Sequence, residues 1–476
     1  MKNLFEDDVM ESRKLRLHIK SFRAIKDADI ELNGITVVTG ENGSGKSTIS
    51  RLLYHVLNCS IHFDTYAVQD IGNWVSNGVS KLRDFLFDLD PQQSLSAKDE
   101  GFNVQTLAGR HSDTRELGLA FLRVLDEGIV NEEKSPPQES LDRVSYILSD
   151  LLLSFPEASL RPNNLGKVSS PVRSNIVRLI KCLKELLEKV PDIKQKRLDQ
   201  RNIDYLKKYM ASVFSEKKIG FKLYDGDVLI NDDNRHRLLT LSDVEEVIYS
   251  DTPMSVGMDD ESALSLLVPS SQKHWLDLNQ HLKQQPFSVD EETDEAIECI
   301  LRDFSDIVHG VIGHKQAQRD VDYSYEYLRE DGKKFDLMEC ATGLKSFGLL
   351  LMLLKKGILG KKTIVIIDEP EVHLHPQWVV EYARLMVRLN KDLGVRFFVA
   401  SHNPDMVSAI RYIAEKEDIL DGVNFYLAEL ASNENSQQLL FEYEFRPLGT
   451  RIDEIFKSFN IAMDRIAQYG VQEQKR

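Results

Sequence analysis

Residues 35–48 read ITVVTGENGSGKST, and this stretch determines the fold that we predict for the chain. ITVVT is a short continuous apolar run, as expected for a strand buried on both faces of a parallel sheet. An apolar helical stretch, ISRLLYHVL, follows the loop. The loop therefore fits the phosphate-binding pattern GxxxxGK[ST] in the strand-to-helix setting that this motif requires. The alternative is a chance glycine-rich turn, which would not explain why the strand, the lysine and the helix all occur at the positions that the motif requires.

The loop has the residue types that hold a triphosphate. Its glycines let successive N–H groups converge on phosphate oxygens, and the start of the helix adds the positive end of a helix dipole. Lys46 is predicted to bridge the β- and γ-phosphates of ATP, and the Ser47 hydroxyl is predicted to bind Mg²⁺. The predicted nucleotide-binding residues of the loop are Gly40, Asn42, Gly43, Ser44, Gly45, Lys46, Ser47 and Thr48.

A second apolar strand, TIVII at 363–367, ends in two acids and a proline. A strand buried on both faces would bring Asp368 to the edge of the sheet, beside the magnesium. Glu369 could then act as the general base that polarises the attacking water. A core strand followed by an acidic turn is the alternative, and the upstream phosphate loop argues against it.

A third strand, RFFVA at 396–400, is followed by Ser401 and His402. His402 is predicted to contact the γ-phosphate by a hydrogen bond, although a lone histidine is more often a core or surface residue. The segment EVHLHP at 371–376 suggests a His-x-His metal site, but no further cluster of cysteine or histidine accompanies it. We interpret it as a turn that leads into the helix QWVVEYARLMVRL.

Composition excludes several classes of protein. The 476 residues carry a net charge of −16, which excludes a wholly basic nucleic-acid coat. The four cysteines form no CxxC pair, so we expect no zinc ribbon and no disulfide framework. We find no signal peptide in the first 14 residues and no apolar run of about 18 residues. We therefore expect a cytoplasmic protein without a membrane partner.

Charge is unevenly distributed along the chain. Residues 161–222 have a net charge of +10, and residues 223–306 have a net charge of −15. These stretches are either solvated helical faces or, for 161–222, a docking surface for a polyanion or another protein. Because 322 residues separate Lys46 from Asp368, the site must be interrupted by a substantial insertion. The predicted domains are 1–60 with the phosphate loop, the helical insertion 61–218, the strand-rich segment 219–257, the helical segment 258–318 and the C-terminal lobe 319–476.

These motifs, in this order, resemble the ABC-type ATPase heads of the SMC, RecF and overcoming-lysogenization-defect (OLD) group. The resemblance covers about 1–55 and 320–445. Within the group, the chain looks most like the stand-alone AAA-type ATPases of bacterial anti-phage systems such as Septu, PARIS and some retron cassettes. The resemblance implies an α/β fold: an ABC-ATPase head with a mixed or parallel P-loop sheet, N-terminal antiparallel strands and a large, mainly helical insertion.

The resemblance also implies further site residues. Arg23 matches a position that approaches the nucleotide in such heads. The stretch ATGLK at 341–345 stands where the signature motif belongs but departs from the LSGGQ form, and it implicates Thr342 and Gly343. In ABC heads this helix completes the site of the other protomer, which implies a homodimer or higher even oligomer. The glutamine-loop residue remains open between Gln69 and the segment after EEVIYSDTPM.

We expect no nuclease site in this chain, because the 74 residues after His402 are too few for the TOPRIM domain of OLD proteins. The sequence therefore suggests an ATPase switch that dimerises around ATP and controls a separate effector, a nuclease or toxin, in anti-phage defence. A RecF- or SMC-like ATPase that binds DNA or RNA through the 161–222 helices is the alternative. A scaffold with ATP as a structural ligand is the third hypothesis, and Glu369 argues against it.

Overall fold

A computed structural model describes residues 14–67, 192, 195–216, 219–253, 273–283, 291–314, 325–431 and 441–456. The chain divides into two compact units, Met1–Ile61 with Ile203–Arg476, and His62–Asn202. Residues 203–218, which we predicted as part of the insertion, fall within the first unit. Most of the basic stretch 161–222 and the remaining predicted helices of the insertion lie outside the described residues.

A ten-stranded sheet organises the first unit. Its strands are β1 (Leu15–Phe22), β2 (Ile25–Glu31), β3 (Ile35–Thr39), β4 (Phe221–Asp225), β5 (Val228–Leu229), β8 (Glu246–Ser250), β12 (Thr363–Asp368), β13 (Arg396–Ala400), β14 (Val423–Leu430) and β15 (Tyr443–Gly449). Their order across the sheet is β5-β4-β1-β2-β15-β14-β3-β13-β12-β8. Strands β8, β12, β13, β3 and β14 run parallel, and β5, β4, β1 and β2 form an antiparallel extension. The fold is therefore α/β with a mixed sheet and N-terminal antiparallel strands, as predicted.

Hydrophobic patterning explains where each strand lies. All residues of β3 and β12 are buried, because helices cover both faces of the parallel part of the sheet. In β1 the residues Leu15, Leu17 and Ile19 are buried and alternate with more exposed neighbours, which is the pattern of a strand with one face toward solvent. The carboxyl ends of β3, β8, β12 and β13 consequently meet at one edge of the sheet.

Helices pack against the parallel strands around one large apolar core. Phe347 anchors this core through edge-to-face contacts with Trp378 and Tyr382, at ring-centroid distances of 5.4 Å and 5.1 Å. The helices are α1 (Lys46–Ile61), α2 (Ile203–Phe214), α3 (Lys273–Lys283), α4 (Glu291–Val308), α5 (Thr342–Lys355), α6 (Pro376–Leu393) and α7 (Pro404–Lys416). None of the described helices is long and apolar enough to cross a membrane.

Two small sheets complete the described part of the unit. Strands β9 (Gly310–His314), β10 (Tyr325–Arg329) and β11 (Lys334–Asp336) form an antiparallel sheet beside α5. Strands β6 (Asn231–Asp232) and β7 (Arg237–Leu238) form a two-stranded ribbon. A short 3₁₀ turn, Leu337–Glu339, leads from β11 to the start of α5.

Candidate functional site

The phosphate loop lies between β3 and α1, as the sequence predicts. Gly43 and Gly45 have φ angles of 85° and 100°, which favour glycine. A Cβ atom on Gly45 would also lie 2.9 Å from Ile25 Cγ1, so no larger residue fits. Lys46 Nζ donates to the carbonyl oxygens of Gly40 and Glu41, at 2.8 Å and 2.9 Å. The ammonium group is therefore held over the loop by weak acceptors that phosphate oxygens could replace.

The polar groups of the loop suit a bound phosphate. Burial lowers the pKa of Lys46 below its ordinary value, and the carboxylates of Glu369 and Asp368 oppose that effect. Ser44 Oγ is buried and has no hydrogen-bond partner among the described residues. Ser47 is exposed at the start of α1. An anion in the loop would satisfy the orphaned hydroxyl and neutralise the lysine, so these residues fit a triphosphate.

Asp368 is the last residue of β12, and its buried carboxylate accepts hydrogen bonds from three hydroxyl groups. Ser50 Oγ of α1 donates to Asp368 Oδ1, and Tyr249 Oη of β8 donates to Oδ2 at 2.9 Å. The Ser47 hydroxyl is a third hydrogen-bond partner of the carboxylate. Burial nevertheless raises the pKa of Asp368 to about 6, against the effect of these hydrogen bonds.

A buried carboxylate next to a serine hydroxyl is a pair that a divalent cation would stabilise. Mg²⁺ commonly uses one or two protein ligands together with waters and phosphate oxygens, so Ser47 and Asp368 suffice for it. No group of three or more His, Cys, Asp or Glu side chains in the described ranges could form a separate metal centre.

Glu369 and His402 meet at the ends of β12 and β13. His402 Nδ1 lies 3.3 Å from Glu369 Oε1. Glu369 has a left-handed backbone with φ of 47°, and its N–H donates to the Ala400 carbonyl oxygen at 2.7 Å. A non-glycine residue in this conformation costs about 1–3 kcal/mol and is typical of functional turns. Both side chains are partly exposed and can reach a ligand.

Sequence reasoning missed the role of Glu371, which it assigned only to a turn. Its side chain is buried, and its Oε1 accepts hydrogen bonds from Ser401 Oγ at 2.9 Å and from the His402 N–H at 3.1 Å. Burial raises the pKa of Glu371, and the hydrogen bonds it accepts work in the opposite direction. The remainder of the segment is a turn, as predicted, and His375 caps α6 by accepting from the Gln377 N–H.

The end of β8 completes the wall around the site. A cavity of about 380 Å³ is lined by Ser47, Asp368 and Glu369 on one side, and by residues 249–253 on the other. Asp251 in this segment lies 3.0 Å from His274 Nε2. Burial alone would raise the pKa of Asp251, but the bonds with His274 and Trp275 outweigh burial and lower it.

Neither of the two locations left open for the glutamine loop is among the described residues. Residues 255–272, which follow EEVIYSDTPM, lie outside the described residues. The cavity is lined instead by Ser250, Asp251 and Thr252, which belong to EEVIYSDTPM itself. Gln69 lies outside the described residues. Tyr249 donates to Asp368 and Asp251 lines the cavity. The sequence indicates neither contact, apart from placing both residues at the end of a strand.

Arg23, which the family resemblance implies as a site residue, is bound to another element of the structure. Arg23 donates to Glu216 Oε1 and to the Phe214 carbonyl oxygen, both at 2.9 Å, so its guanidinium group is bound to the end of α2. Its neighbours Ala24 and Ile25 contact the space beside Gly45 instead. The approach of Arg23 itself to the nucleotide thus remains a prediction.

The signature region begins α5 beside the turn that follows β12. The nearest heavy atoms to a Cβ on Gly343 would be Leu374 Cδ2 at 3.0 Å and the His373 carbonyl oxygen at 3.3 Å. Ala341 precedes Thr342 and offers no side-chain cap to the helix. Gly343 is buried, and the N–H groups of Leu344 and Lys345 donate to the Ala341 carbonyl oxygen at 3.0 Å and 3.3 Å. Contact of Thr342 and Gly343 with an anion therefore stays a prediction.

A larger polar cavity, of about 630 Å³, lies on the face of β1, β2, β14 and β15. Its acids are already paired: Arg16 lies 3.6 Å from Asp29, and Arg446 lies 2.9 Å from Glu429. None of the phosphate-loop residues lines it, so we place the functional site at the edge of the sheet.

Comparison with known proteins gives a family match over most of the chain. A family model described as "AAA domain, putative AbiEii toxin, Type IV TA system" matches residues 84–408. A second model, described as an AAA domain, matches residues 16–53. The first match spans Asp368, Glu369 and His402, and the second spans the phosphate loop.

Curated relatives match only in part. A DNA replication and repair protein RecF of Desulfitobacterium hafniense is 32% identical over 71 residues, which is 15% of this chain and 19% of the relative. The chain thus spans about a fifth of that relative's length. A putative ABC transporter ATP-binding protein of Clostridium perfringens is 26% identical over 105 residues, 22% of this chain and 37% of the relative.

Solved structures with similar folds include two SMC head domains. The Pyrococcus furiosus head, bound to the C-terminal domain of ScpA, covers 95% of this chain and 99% of its own, with a TM-score of 0.32 and 10% identity. The Thermotoga maritima head covers 92% of this chain and 99% of its own, with a TM-score of 0.33 and 11% identity.

Proposed function

The chain belongs to the AAA-domain family of ATPases of the AbiEii type, and on that premise we propose that it binds and hydrolyses ATP as a switch that dimerises around the nucleotide. One observation carries the proposal. Lys46, Asp368 and the Glu369–His402 pair come from three separate segments, yet they meet at the carboxyl ends of adjacent parallel strands. That edge of an α/β sheet is where such folds bind their ligands.

The geometry supports in-line attack of water on the γ-phosphate. Lys46 and the N–H groups of the loop hold and neutralise the phosphates. Glu369 accepts a proton from the attacking water, and His402, 3.3 Å from Glu369, orients the terminal phosphate by a hydrogen bond. Ser47 and Asp368 would hold Mg²⁺, which supplies positive charge that neutralises the phosphate oxygens.

Dimerisation supplies the remaining donors. We assign this role to the first turn of α5, with Thr342 and Gly343, which has no side-chain cap from Ala341. In a pair of chains, each α5 would contact the triphosphate held by the other chain. ATP then favours the dimer, and hydrolysis releases it. The output of such a cycle is control of a partner, and we propose a nuclease or toxin effector in anti-phage defence.

The decisive experiment compares the wild type with Glu369→Gln. Removing a general base lowers kcat by about 10²–10⁴-fold, whereas nucleotide binding should persist because Lys46 and Ser47 are unchanged. Light scattering after gel filtration with Mg·ATP should then show a stable dimer of the variant. Glu381→Gln, on the α6 surface, is the matched control. A Glu369→Gln variant that turned over ATP at the wild-type rate would rule out the proposed mechanism.

A second candidate is an ATPase that binds nucleic acid directly, which the partial match to a RecF protein favours. It would use basic residues of the 161–222 stretch, of which Lys207 is paired with Asp233 at 2.7 Å. The remaining sequence candidates in that stretch are Lys194, Lys196, Arg197, Arg201 and Lys208. If charge reversal of Lys207 and Lys208 left DNA affinity and its salt dependence unchanged, these two residues could not be the contacts.

A further inference from the structure

Glu371 lies in the turn after β12, yet its contacts are at the end of β13. One carboxylate oxygen, Oε1, accepts hydrogen bonds from the Ser401 hydroxyl at 2.9 Å and from the backbone N–H of His402 at 3.1 Å. The side chain is 7% exposed, so water does not compete for these bonds. A single buried oxygen therefore ties the segment that carries Glu369 to the segment that carries His402.

The same oxygen also faces the imidazole ring. His402 Nδ1 lies 3.4 Å from Glu371 Oε1 and 3.3 Å from Glu369 Oε1. Both neighbours are acceptors, so this edge of the ring is directed toward carboxylates. The other ring nitrogen, Nε2, is consequently the one left to meet a ligand. His402 Nδ1 makes no hydrogen bond within the described ranges, so Glu371 holds the backbone of His402 by a hydrogen bond and faces its ring only by proximity.

A contribution to stability alone does not explain a glutamate at position 371. The second oxygen of Glu371, Oε2, is buried and has no hydrogen-bond partner within the described ranges. Leaving a carboxylate oxygen unsatisfied costs stability. A shorter neutral side chain could satisfy Ser401 at lower cost, but it would not also reach the backbone and the ring of His402.

We propose that Glu371 is a positioning residue, which holds His402 beside Glu369 so that the imidazole meets the γ-phosphate in a fixed orientation. This proposal rests on the function proposed above, because it assigns Glu371 a task in that same site. Glu371 itself would not touch the nucleotide. It acts through His402, and it links the turn after β12 to the end of β13.

Steady-state ATPase kinetics of Glu371→Ala and Glu371→Gln test the proposal. Glutamine keeps an oxygen that can accept both hydrogen bonds, and alanine keeps none. We expect alanine to lower kcat by about 10–100-fold with KM for ATP within about twofold, because misplacement affects the reaction more than ground-state binding. Glutamine should retain most of the wild-type kcat. Glu381→Gln, a surface change on α6, should match the wild type.

Three kinetic outcomes would overturn the proposal. Glu371→Ala could keep the wild-type kcat, which would mean that His402 needs no positioning. Alanine and glutamine could lower kcat equally, which would mean that the acceptor oxygen is not what matters. A rise in KM with unchanged kcat would assign Glu371 to nucleotide binding instead.

Amide hydrogen exchange gives a readout that does not depend on turnover. In protein labelled with ¹⁵N-histidine, the His402 amide should exchange at least about tenfold faster in Glu371→Ala than in the wild type, and at the wild-type rate in Glu371→Gln. Equal protection in the alanine variant would refute the link. If the wild type hydrolysed no ATP at all, the proposed function would fall, while the exchange data would still decide whether Glu371 holds His402.

Discussion

Asp368→Asn should stabilise the metal-free protein, although it removes a residue of the predicted site. The pKa of Asp368 is about 6 in the folded chain, against an ordinary value of 3.8, because burial disfavours its charge. The folded state thus holds this proton to higher pH than the unfolded state. Stability is therefore lost as pH rises from about 4 to about 6. The difference corresponds to roughly 3 kcal/mol once both states are ionised.

Urea unfolding in the presence of a chelator measures this effect. Asparagine resembles the protonated acid in shape and does not ionise. The unfolding free energy of the Asp368→Asn variant should therefore exceed that of the wild type by roughly 3 kcal/mol near pH 8 and by about half as much near pH 5. Asp421→Asn, at an exposed position, should change stability by less than about 0.5 kcal/mol. Added Mg²⁺ should reduce the difference by binding the ionised carboxylate. Equal stabilities of the wild type and Asp368→Asn near pH 8 would refute the reasoning.

Three further predictions concern the binding of ATP and of Mg²⁺. Lys46→Ala should abolish binding of a fluorescent ATP analogue, and retained binding would exclude Lys46 as the phosphate contact. Tyr249→Phe removes one donor from the Asp368 carboxylate and should raise the Mg²⁺ concentration needed for half-maximal ATPase activity by about 10–100-fold, with unchanged dependence on ATP at saturating Mg²⁺. ATP should bind at least about tenfold more weakly in EDTA than with Mg²⁺. Without the cation, carboxylates near Lys46, Glu41 and Glu371 among them, repel the phosphates. Equal affinities by calorimetry with and without Mg²⁺ would contradict this.

Local patterns in the sequence were enough to predict much of the fold. The apolar run at 35–39 and the loop after it predicted β3 and the start of α1 correctly, because the phosphate-binding motif occurs between a strand and a helix. Alternation at Leu15, Leu17 and Ile19 gave an antiparallel strand with one buried face. The apolar runs ending at Asp368 and Ala400 gave two central parallel strands, so the main residues of the site could be placed at one edge of the sheet.

The parts that sequence reasoning missed depend on contacts between distant segments. Ser50 reaches Asp368 across 318 residues, and Tyr249 reaches it across 119. Glu371 looked like part of a surface turn, because nothing in its neighbours indicates burial. Its partners, Ser401 and His402, are 30 and 31 residues away, just after the end of another strand. Such pairs arise from strand order, which periodicity along the chain does not encode.

Helix α1 connects the phosphate site to the rest of the unit. Its first turn carries Lys46 and Ser47, and about 18 Å further along its axis Asn58 donates to Asp277 of α3 at 3.1 Å. Between them, His55 Nδ1 lies 2.9 Å from the hydroxyl of Tyr209 in α2. The first of these contacts is partly buried and the second is buried, and breaking either costs free energy. A nucleotide that shifts the start of α1 must therefore either move α2 and α3 with it or break these bonds. Helix α2 directly follows the 62–202 unit in the chain, so we expect a shift of α2 to reach the point where the chain leaves that unit.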